Sequence, residues 1–263
     1  MRELEREKNR NGGASAPLVV IGPGRVGRSL ATAAAAAGID ARLAGRGEAS
    51  AAARQAEVAL ICVPDGAITE ACEAIAGAIP PLRFVGHTSG ATGLEALASA
   101  TGRGASSFSL HPLQTIPDGG TVLDGAPCAV SGSNSEALEL ARALAERLGM
   151  TPFAVPEEGR TAYHAAACIA SNFLVTLEES AVELLAAAGV ENGRDLLAPL
   201  VLRTAANWSE RGGAALTGPI ARGDEATVER HLASIAAHRP ELVEAYRALA
   251  GLTRELLPKE AGA

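Results

Sequence analysis

The sequence predicts an α/β domain built on a parallel sheet, followed by an all-helical domain. Three observations carry this reading. Short apolar runs alternate with helical stretches over residues 17–155. The first run, Leu18-Val-Val-Ile, enters a Gly-x-Gly-x-x-Gly turn that opens straight into an alanine-rich helix. After Pro156 the apolar period turns helical and stays so.

The first strand is Leu18–Ile21, and the turn is Gly22-Pro23-Gly24-Arg25-Val26-Gly27. Gly22 permits the bend, Gly24 presents no side chain to a phosphate, and Gly27 lets the helix lie close to the strand. The helix, Arg25–Ala37, offers unpaired N–H groups and its positive dipole end to an anion. A strand, a glycine turn and a helix N-terminus in that order mark a Rossmann-like dinucleotide-binding unit. Further strands are expected at Ala41–Ala44, Val58–Val63, Phe84–His87, Ala105–Leu110, Cys128–Val130 and Pro152–Val155. Helices fill most gaps, at Ala49–Ala56, Ala67–Ala78, Leu94–Ala100 and Ser135–Leu148, the last closed by Gly149. Continuous apolar strands separated by helices predict a parallel sheet covered on both faces. One long helix is then expected over 157–188, ended by Gly189, with others near 194–211, 224–237 and 240–257. The expected organisation is a disordered tail at 1–16, a dinucleotide-binding domain at 17–155 and a helical domain at 156–263 that binds substrate and dimerises. Pro152 and Pro156 bracket the hinge.

Composition narrows the function classes. In 263 residues, 48% are hydrophobic and only 3% aromatic, so the core rests on Ala, Leu, Val and Ile. A net charge of -7 argues against nucleic acid and anionic membrane as partners. No apolar run reads as long enough to span a bilayer, and the charged start, Met1–Arg10, has no apolar signal segment. The expected location is therefore the cytoplasm. Cys62, Cys72, Cys128 and Cys168 form no C-x-x-C and read as reduced, buried thiols. The five histidines show no metal-ligand spacing. The only lysines are Lys8 and Lys259, both in expected tails, so no lysine is available for catalysis in the folded body.

The end of the second strand bears on the cofactor. An NAD site usually places an acid about 20 residues beyond the glycines. Here Arg46 stands in that place, within Leu43-Ala-Gly45-Arg46-Gly47. A guanidinium there pairs with a 2′-phosphate, and Arg25 adds charge, so NADP(H) is favoured. The competing reading leaves Arg46 in solvent and gives Glu48 the acid's role. Val63 and Pro64, at the end of the third strand, wall the cofactor. His87-Thr-Ser89-Gly90 follows the next strand at the same sheet edge. There Ser89 serves the cofactor or caps a turn, and His87 is a site residue or a satisfied half-buried ring.

His111, fixed by Pro112 at a strand's carboxyl end, is placed for general-acid work or for a structural bond to the backbone. On the long helix His164, Cys168 and Asn172 share one face at i, i+4 and i+8. Such a polar stripe among small residues needs partners in the protein or in a ligand. The loop Leu216-Thr217-Gly-Pro-Ile-Ala-Arg222-Gly-Asp224 precedes a helix with Thr227 and His231. Arg222 offers a fork for a carboxylate or pairs structurally with Asp224.

His111-Pro-Leu-Gln-Thr, Tyr163-His164…Ser171-Asn172 and Leu216-Thr-Gly-Pro-Ile-Ala-Arg-Gly-Asp…His231 together resemble a family. It comprises Rossmann-like bacterial oxidoreductases with a C-terminal domain of unknown function. The resemblance spans roughly residues 17–257. The family is similar to pyrroline carboxylate reductase, ketopantoate reductase and hydroxyisobutyrate dehydrogenase, and some members are regarded as an alternative ketopantoate reductase. The resemblance implies NADPH-dependent reduction of a small carbonyl compound in an interdomain cleft, and a homodimer. It implies Asn172 as the holder of the carbonyl oxygen and Arg222 as the holder of a carboxylate. The relatives' catalytic lysine has no counterpart here, so His164 or His111 takes the acid's role, with the Thr217 hydroxyl as a further donor. The rival readings are reduction of a cyclic imine and a non-catalytic NADP-binding sensor or scaffold.

Overall fold

The computed structural model describes residues 17–79 and 82–257. The tail expected at 1–16, Lys8 and Lys259 lie outside the described residues. Two compact units divide the chain between Ile169 and Ala170.

The first unit holds one seven-stranded sheet in the order β2-β1-β3-β4-β5-β6-β7. Its strands are β1 (Leu18–Ile21), β2 (Ala41–Ala44), β3 (Val58–Ile61), β4 (Phe84–His87), β5 (Ser106–Pro112), β6 (Pro127–Gly132) and β7 (Thr151–Ala154). Its helices are α1 (Arg25–Ala36), α2 (Ala49–Ala53), α3 (Ile68–Ala76), α4 (Ala98–Thr101), α5 (Ser135–Arg147) and α6 (Arg160–Ala170). The pairs from β2 through β5 are parallel, as are β6 and β7. The exception to the all-parallel expectation is β6, which runs antiparallel to β5. A parallel return needs a crossover, usually a helix, and the segment between Pro112 and Pro127 contains none.

Strand alternation sorts the core into two layers. Leu18, Val20, Leu60, Phe84, Phe108 and Val130 pack with Leu30 of α1 and with Ala141 and Leu144 of α5. Val19, Ile21, Ile61 and Val85 pack with Ala52 of α2, Ile68 and Ile75 of α3, and Ala100 of α4. Burying each large aliphatic or aromatic side chain contributes about 1.5–3 kcal/mol. This two-sided cover is why the inner strands read as continuous apolar runs. In β5, by contrast, buried Phe108 and Leu110 alternate with Ser107, Ser109 and His111. One face of the sheet at β5 is therefore polar, and it is the face over which α6 begins.

The second unit contains α7 (Asn172–Ala187), α8 (Gly193–Arg211), α9 (Glu225–His238) and α10 (Val243–Glu255). Gly189, at φ +79°, ends α7 as expected. Arg194 bonds Glu179 at 2.8 Å between α8 and α7. Arg254 holds Glu225 with both oxygens, at 2.7 and 2.9 Å, between α10 and α9.

The single helix expected over 157–188 is broken. Residues Glu157–Gly159 form a 3-10 turn, and Ser171 leaves the helical conformation at φ −123°, ψ −68°. Ser171 and Asn172, whose side chains compete with the backbone for hydrogen bonds, fall at the junction of the two units. By length and composition alone, Glu157–Ala187 is apolar enough to cross a membrane. This corrects the expectation that no stretch qualifies.

Candidate active site

The order β2-β1-β3 places the topological switch point between β1 and β3, where open α/β sheets bind ligands beyond the strands' carboxyl ends. Gly22 sits there at φ +109°, and a Cβ on it would meet the Cys62 carbonyl oxygen at 2.5 Å. A Cβ on Gly27 would meet the Gly22 oxygen at 2.0 Å, so the helix seats itself only through glycine. The Cβ direction of Gly24, in contrast, faces open space. Gly24 is the N-cap of α1 and contributes no side-chain cap, and no acid lies in the helix's first turn. The N–H groups of Arg25, Val26 and Gly27 thus stand uncapped at a positive helix end, which fits a pyrophosphate. Arg28 braces the turn through a 2.8 Å bond from Nε to the Pro23 oxygen.

A cavity of about 290 Å³ opens beside this turn, lined by Gly22, Pro23, Gly24, Arg46, Val63 and Pro64 among others. The six residues named there from the sequence are thus brought together. Arg46 is exposed and pairs with Glu70 of α3 at 3.6 Å. Glu48, the alternative acid, lies with Oε2 3.5 Å from the Gly45 N–H.

A second cluster lies on the polar face at β4, β5 and β6. His87 stands beside Ser109 in register, and Ser109 opposes Ser131. The two serine hydroxyls are 2.9 Å apart. Arg160, the first residue of α6, donates to Ser109 at 2.9 Å and Ser131 at 2.7 Å. Its Nε and the same terminal nitrogen hold Glu157 at 3.1 and 3.0 Å. The guanidinium is 4% exposed. Burial alone would raise the Glu157 carboxyl, but Arg160's hydrogen bonds and charge, with the Leu94 N–H, outweigh it and hold the group below its usual range.

His87 is fully buried. Its Nδ1 accepts the Ser89 N–H at 3.2 Å, and its Nε2 faces the Gly93 oxygen at 3.3 Å. Burial, then Arg160, pushes its pKa down to about 4. His87 is thereby a satisfied, neutral ring that fixes the loop after β4. Ser89 accepts from Ala91 and Thr92 N–H at 3.2 and 2.9 Å, the turn-capping alternative.

His111, on the same β5 face, meets the Tyr163 hydroxyl at 2.6 Å through Nδ1. Burial, then His164 and Arg160, lowers its pKa to about 4. At neutral pH it offers a neutral imidazole and not an imidazolium. The His164 ring centroid lies 6.2 Å away. Both rings close on Gly90, whose absent Cβ would meet His111 and His164 atoms at 2.8 Å. His164 Nδ1 also touches Cys168 Sγ at 3.8 Å, so the first step of the stripe exists. It ends there, because the break at Ser171 interrupts the helix before Asn172.

Asn172, Thr217 and Arg222 belong to the second unit and are exposed. The alternative ion pair of Arg222 with Asp224 is not formed among the described residues. The Asp224 carboxylate instead caps α9, accepting from the Thr227 N–H at 3.0 Å and hydroxyl at 2.7 Å. Sequence reasoning assigned no role to Tyr163, Arg160, Glu157 or Gly90. The signals were present: a tyrosine preceding the helix histidine, and a Ser-x-Ser-x-His face that demands a polar cover.

Two family models match. Residues 39–112 match a Rossmann-like domain and residues 126–253 a domain of unknown function, DUF2520. The latter match begins where the sheet turns antiparallel. None of the curated proteins matches. Among solved structures, a protein of Bacteroides fragilis provisionally assigned as an NADP oxidoreductase is 23% identical, with a TM-score of 0.75 over 92% of this chain and 98% of its own. A Thermotoga maritima protein is also 23% identical, with a TM-score of 0.69 over 91% and 97%. A Plasmodium falciparum pyrroline carboxylate reductase with NADP bound is 13% identical, with a TM-score of 0.62 over 93% and 99%. A match to a Rossmann-like domain is thus followed along the chain by a match to DUF2520, and the fold is the one seen in these three structures.

Proposed function

We propose that the protein is an NADP(H)-dependent reductase of a small carbonyl compound, with 2-keto acids such as ketopantoate as its substrate class. The observation that carries the reading is a shared sheet edge. The anion-cradling turn follows β1 and the paired imidazole of His111 ends β5, both at carboxyl ends of the parallel run. The similar reductase with NADP bound supports the choice of a nicotinamide dinucleotide.

The uncapped N–H groups of α1 hold the pyrophosphate, and Gly24 lets it approach. Arg46 takes the 2′-phosphate. Its exposed pair with Glu70 is worth only about 0–1 kcal/mol, whereas a charge-assisted contact to phosphate contributes about 1.5–3 kcal/mol. Arg46 would therefore exchange the Glu70 carboxylate for the phosphate. A bound reduced nicotinamide supplies the hydride. His111 donates an N–H to the carbonyl oxygen, with His164 beside it as a second donor. A ring held neutral stabilises developing negative charge without itself needing to ionise, and the alkoxide takes its proton from water.

Calorimetric titration of NADPH and NADH tests the cofactor half of this reading. The expected result is a preference for NADPH on the order of tenfold, lost in Arg46→Ala. A panel of 2-keto acids and cyclic imines, followed by loss of NADPH absorbance, tests the chemistry, with turnover expected for a keto acid. Equal affinities in the parent protein would remove the role of Arg46. Failure of both dinucleotides to bind would remove the reductase reading itself.

A further inference from the structure

The chain has two tyrosines, and each hydroxyl meets Nδ1 of a histidine. Tyr246 and His231 do so at 2.8 Å at an exposed position of the second unit. Tyr163 and His111 do so at 2.6 Å in a half-buried setting, their rings edge-on at 87°.

The pair at His111 has two possible proton arrangements. In one, the tyrosine O–H donates to Nδ1 and the ring proton sits on Nε2. In the other, Nδ1–H donates to the phenol oxygen and Nε2 is a bare lone pair. The hydroxyl of Tyr163 has no second partner among the described residues, nor does Nε2 of His111. Each arrangement leaves one donor open, the Nε2–H in the first and the phenol O–H in the second. The first leaves only the weakly basic phenol oxygen without a donor, whereas the second leaves the more basic imidazole nitrogen bare. The phenol is also the more acidic donor, so the first arrangement is favoured in a partly buried site.

We propose that Tyr163 is a positioning residue that locks His111 as its Nε2–H tautomer, so that a neutral N–H is presented beside Gly90. The use of that N–H on a carbonyl rests on the reductase reading above; the tautomer itself does not.

The surroundings agree. Nε2 of His111 lies 2.9 Å from where a Gly90 Cβ would stand, so only glycine leaves that nitrogen unobstructed on this side. Tyr163 follows Arg160 by one helical turn, and Arg160 is tied to β5 and β6, so the hydroxyl is delivered at a fixed register. Burial pushes the Tyr163 hydroxyl up to about 12, far above the His111 ring at about 4. Neither group ionises near neutrality, and the O–H…N arrangement persists. Arg160 and His164 face the ring with positive or potentially positive charge, and both oppose a second ring proton.

Ring-nitrogen NMR on the full chain, without cofactor or substrate, tests the assignment. The His111 signals are identified by their loss in His111→Asn. At neutral pH, Nδ1 of His111 is expected to resonate as an unprotonated hydrogen-bond acceptor and Nε2 as a protonated nitrogen. A slowly exchanging Tyr163 hydroxyl proton is expected to correlate with His111. In Tyr163→Phe, judged folded by unchanged signals of the buried His87, that proton disappears and the two His111 shifts move toward each other as the second tautomer is populated. A proton on Nδ1 in the parent protein overturns the proposal, and so do His111 shifts unaltered by Tyr163→Phe. On a turned-over keto acid, Tyr163→Phe should lower kcat about tenfold, the worth of one hydrogen bond, with the NADPH dissociation constant unchanged. An unchanged kcat refutes the catalytic use of the tautomer. Failure of the reductase reading shows separately, as absent dinucleotide binding with the same nitrogen shifts.

Discussion

Removing Arg160 and removing its counter-charge should have unequal costs, and the inequality follows from where each partner can reach water. The guanidinium is 4% exposed, while the Glu157 carboxylate is 45% exposed. In Arg160→Met the carboxylate rehydrates and keeps the Leu94 N–H at 3.2 Å. Ser109 and Ser131 retain each other at 2.9 Å. The loss is then that of charge-assisted hydrogen bonds whose remnants are mostly satisfied, about 2 kcal/mol. In Glu157→Gln the guanidinium stays buried with two neutral hydroxyls and an amide. Breaking a buried pair by removing one partner costs about 3–5 kcal/mol, because the remaining charge is uncompensated. Arg160→Met should thus lower the melting temperature by about 4–8 °C and Glu157→Gln by about 6–20 °C. Arg160→Met combined with Glu157→Gln should melt above Glu157→Gln alone, since no buried charge is stranded. Thermal unfolding followed by far-UV circular dichroism at neutral pH measures all three. A Glu157→Gln variant as stable as the parent, or less damaged than Arg160→Met, would refute the electrostatic account of this junction.

Two further outcomes are expected. His87 is held near pKa 4 when folded, against 6.5 when free. The unfolded chain therefore binds the extra proton between those values, and stability falls as pH drops from 6.5 to 4, by about 3 kcal/mol from this ring; urea midpoints that stay level across that window would contradict it. In the second unit Leu200, Leu202 and Trp208 are 62%, 71% and 67% exposed. Apolar surface of that kind marks an interface, so sedimentation equilibrium at micromolar concentration should give a homodimer, and a monomer would count against one.

The parts of this molecule that the sequence disclosed are those whose causes are local. The glycine turn is legible because strand, bend and helix start lie within ten residues and each needs its residue type there. Strands β1, β3 and β4 are legible because two-sided burial makes apolar runs. Strand direction is not written in such runs, and β6 was misread for that reason. The indirect signal was the helix-free segment before Pro127, which forbids an ordinary parallel crossover. The long helix was overextended because neither Pro nor Gly marks the break at Ser171.

At the site, the same distinction decides what was seen. His111 and His164 are recognisable as chemistry-bearing residues wherever they lie. Arg160 is not, since an arginine at a helix start ordinarily faces water, and only the serines of β5 and β6 make its burial possible. Tyr163 gains its role from a histidine 52 residues away. Yet the pattern Ser107-Phe-Ser-Leu-His111 already implied it. A strand whose one face is Phe108 and Leu110 must turn Ser107, Ser109 and His111 the other way. A buried polar face requires polar partners. Among the helices after β7, the stretch that begins Arg160-Thr-Ala-Tyr163-His164 carries a guanidinium, a phenol and an imidazole within its first five residues. The pairing of that helix start with that strand face satisfies polar groups that neither element satisfies by itself.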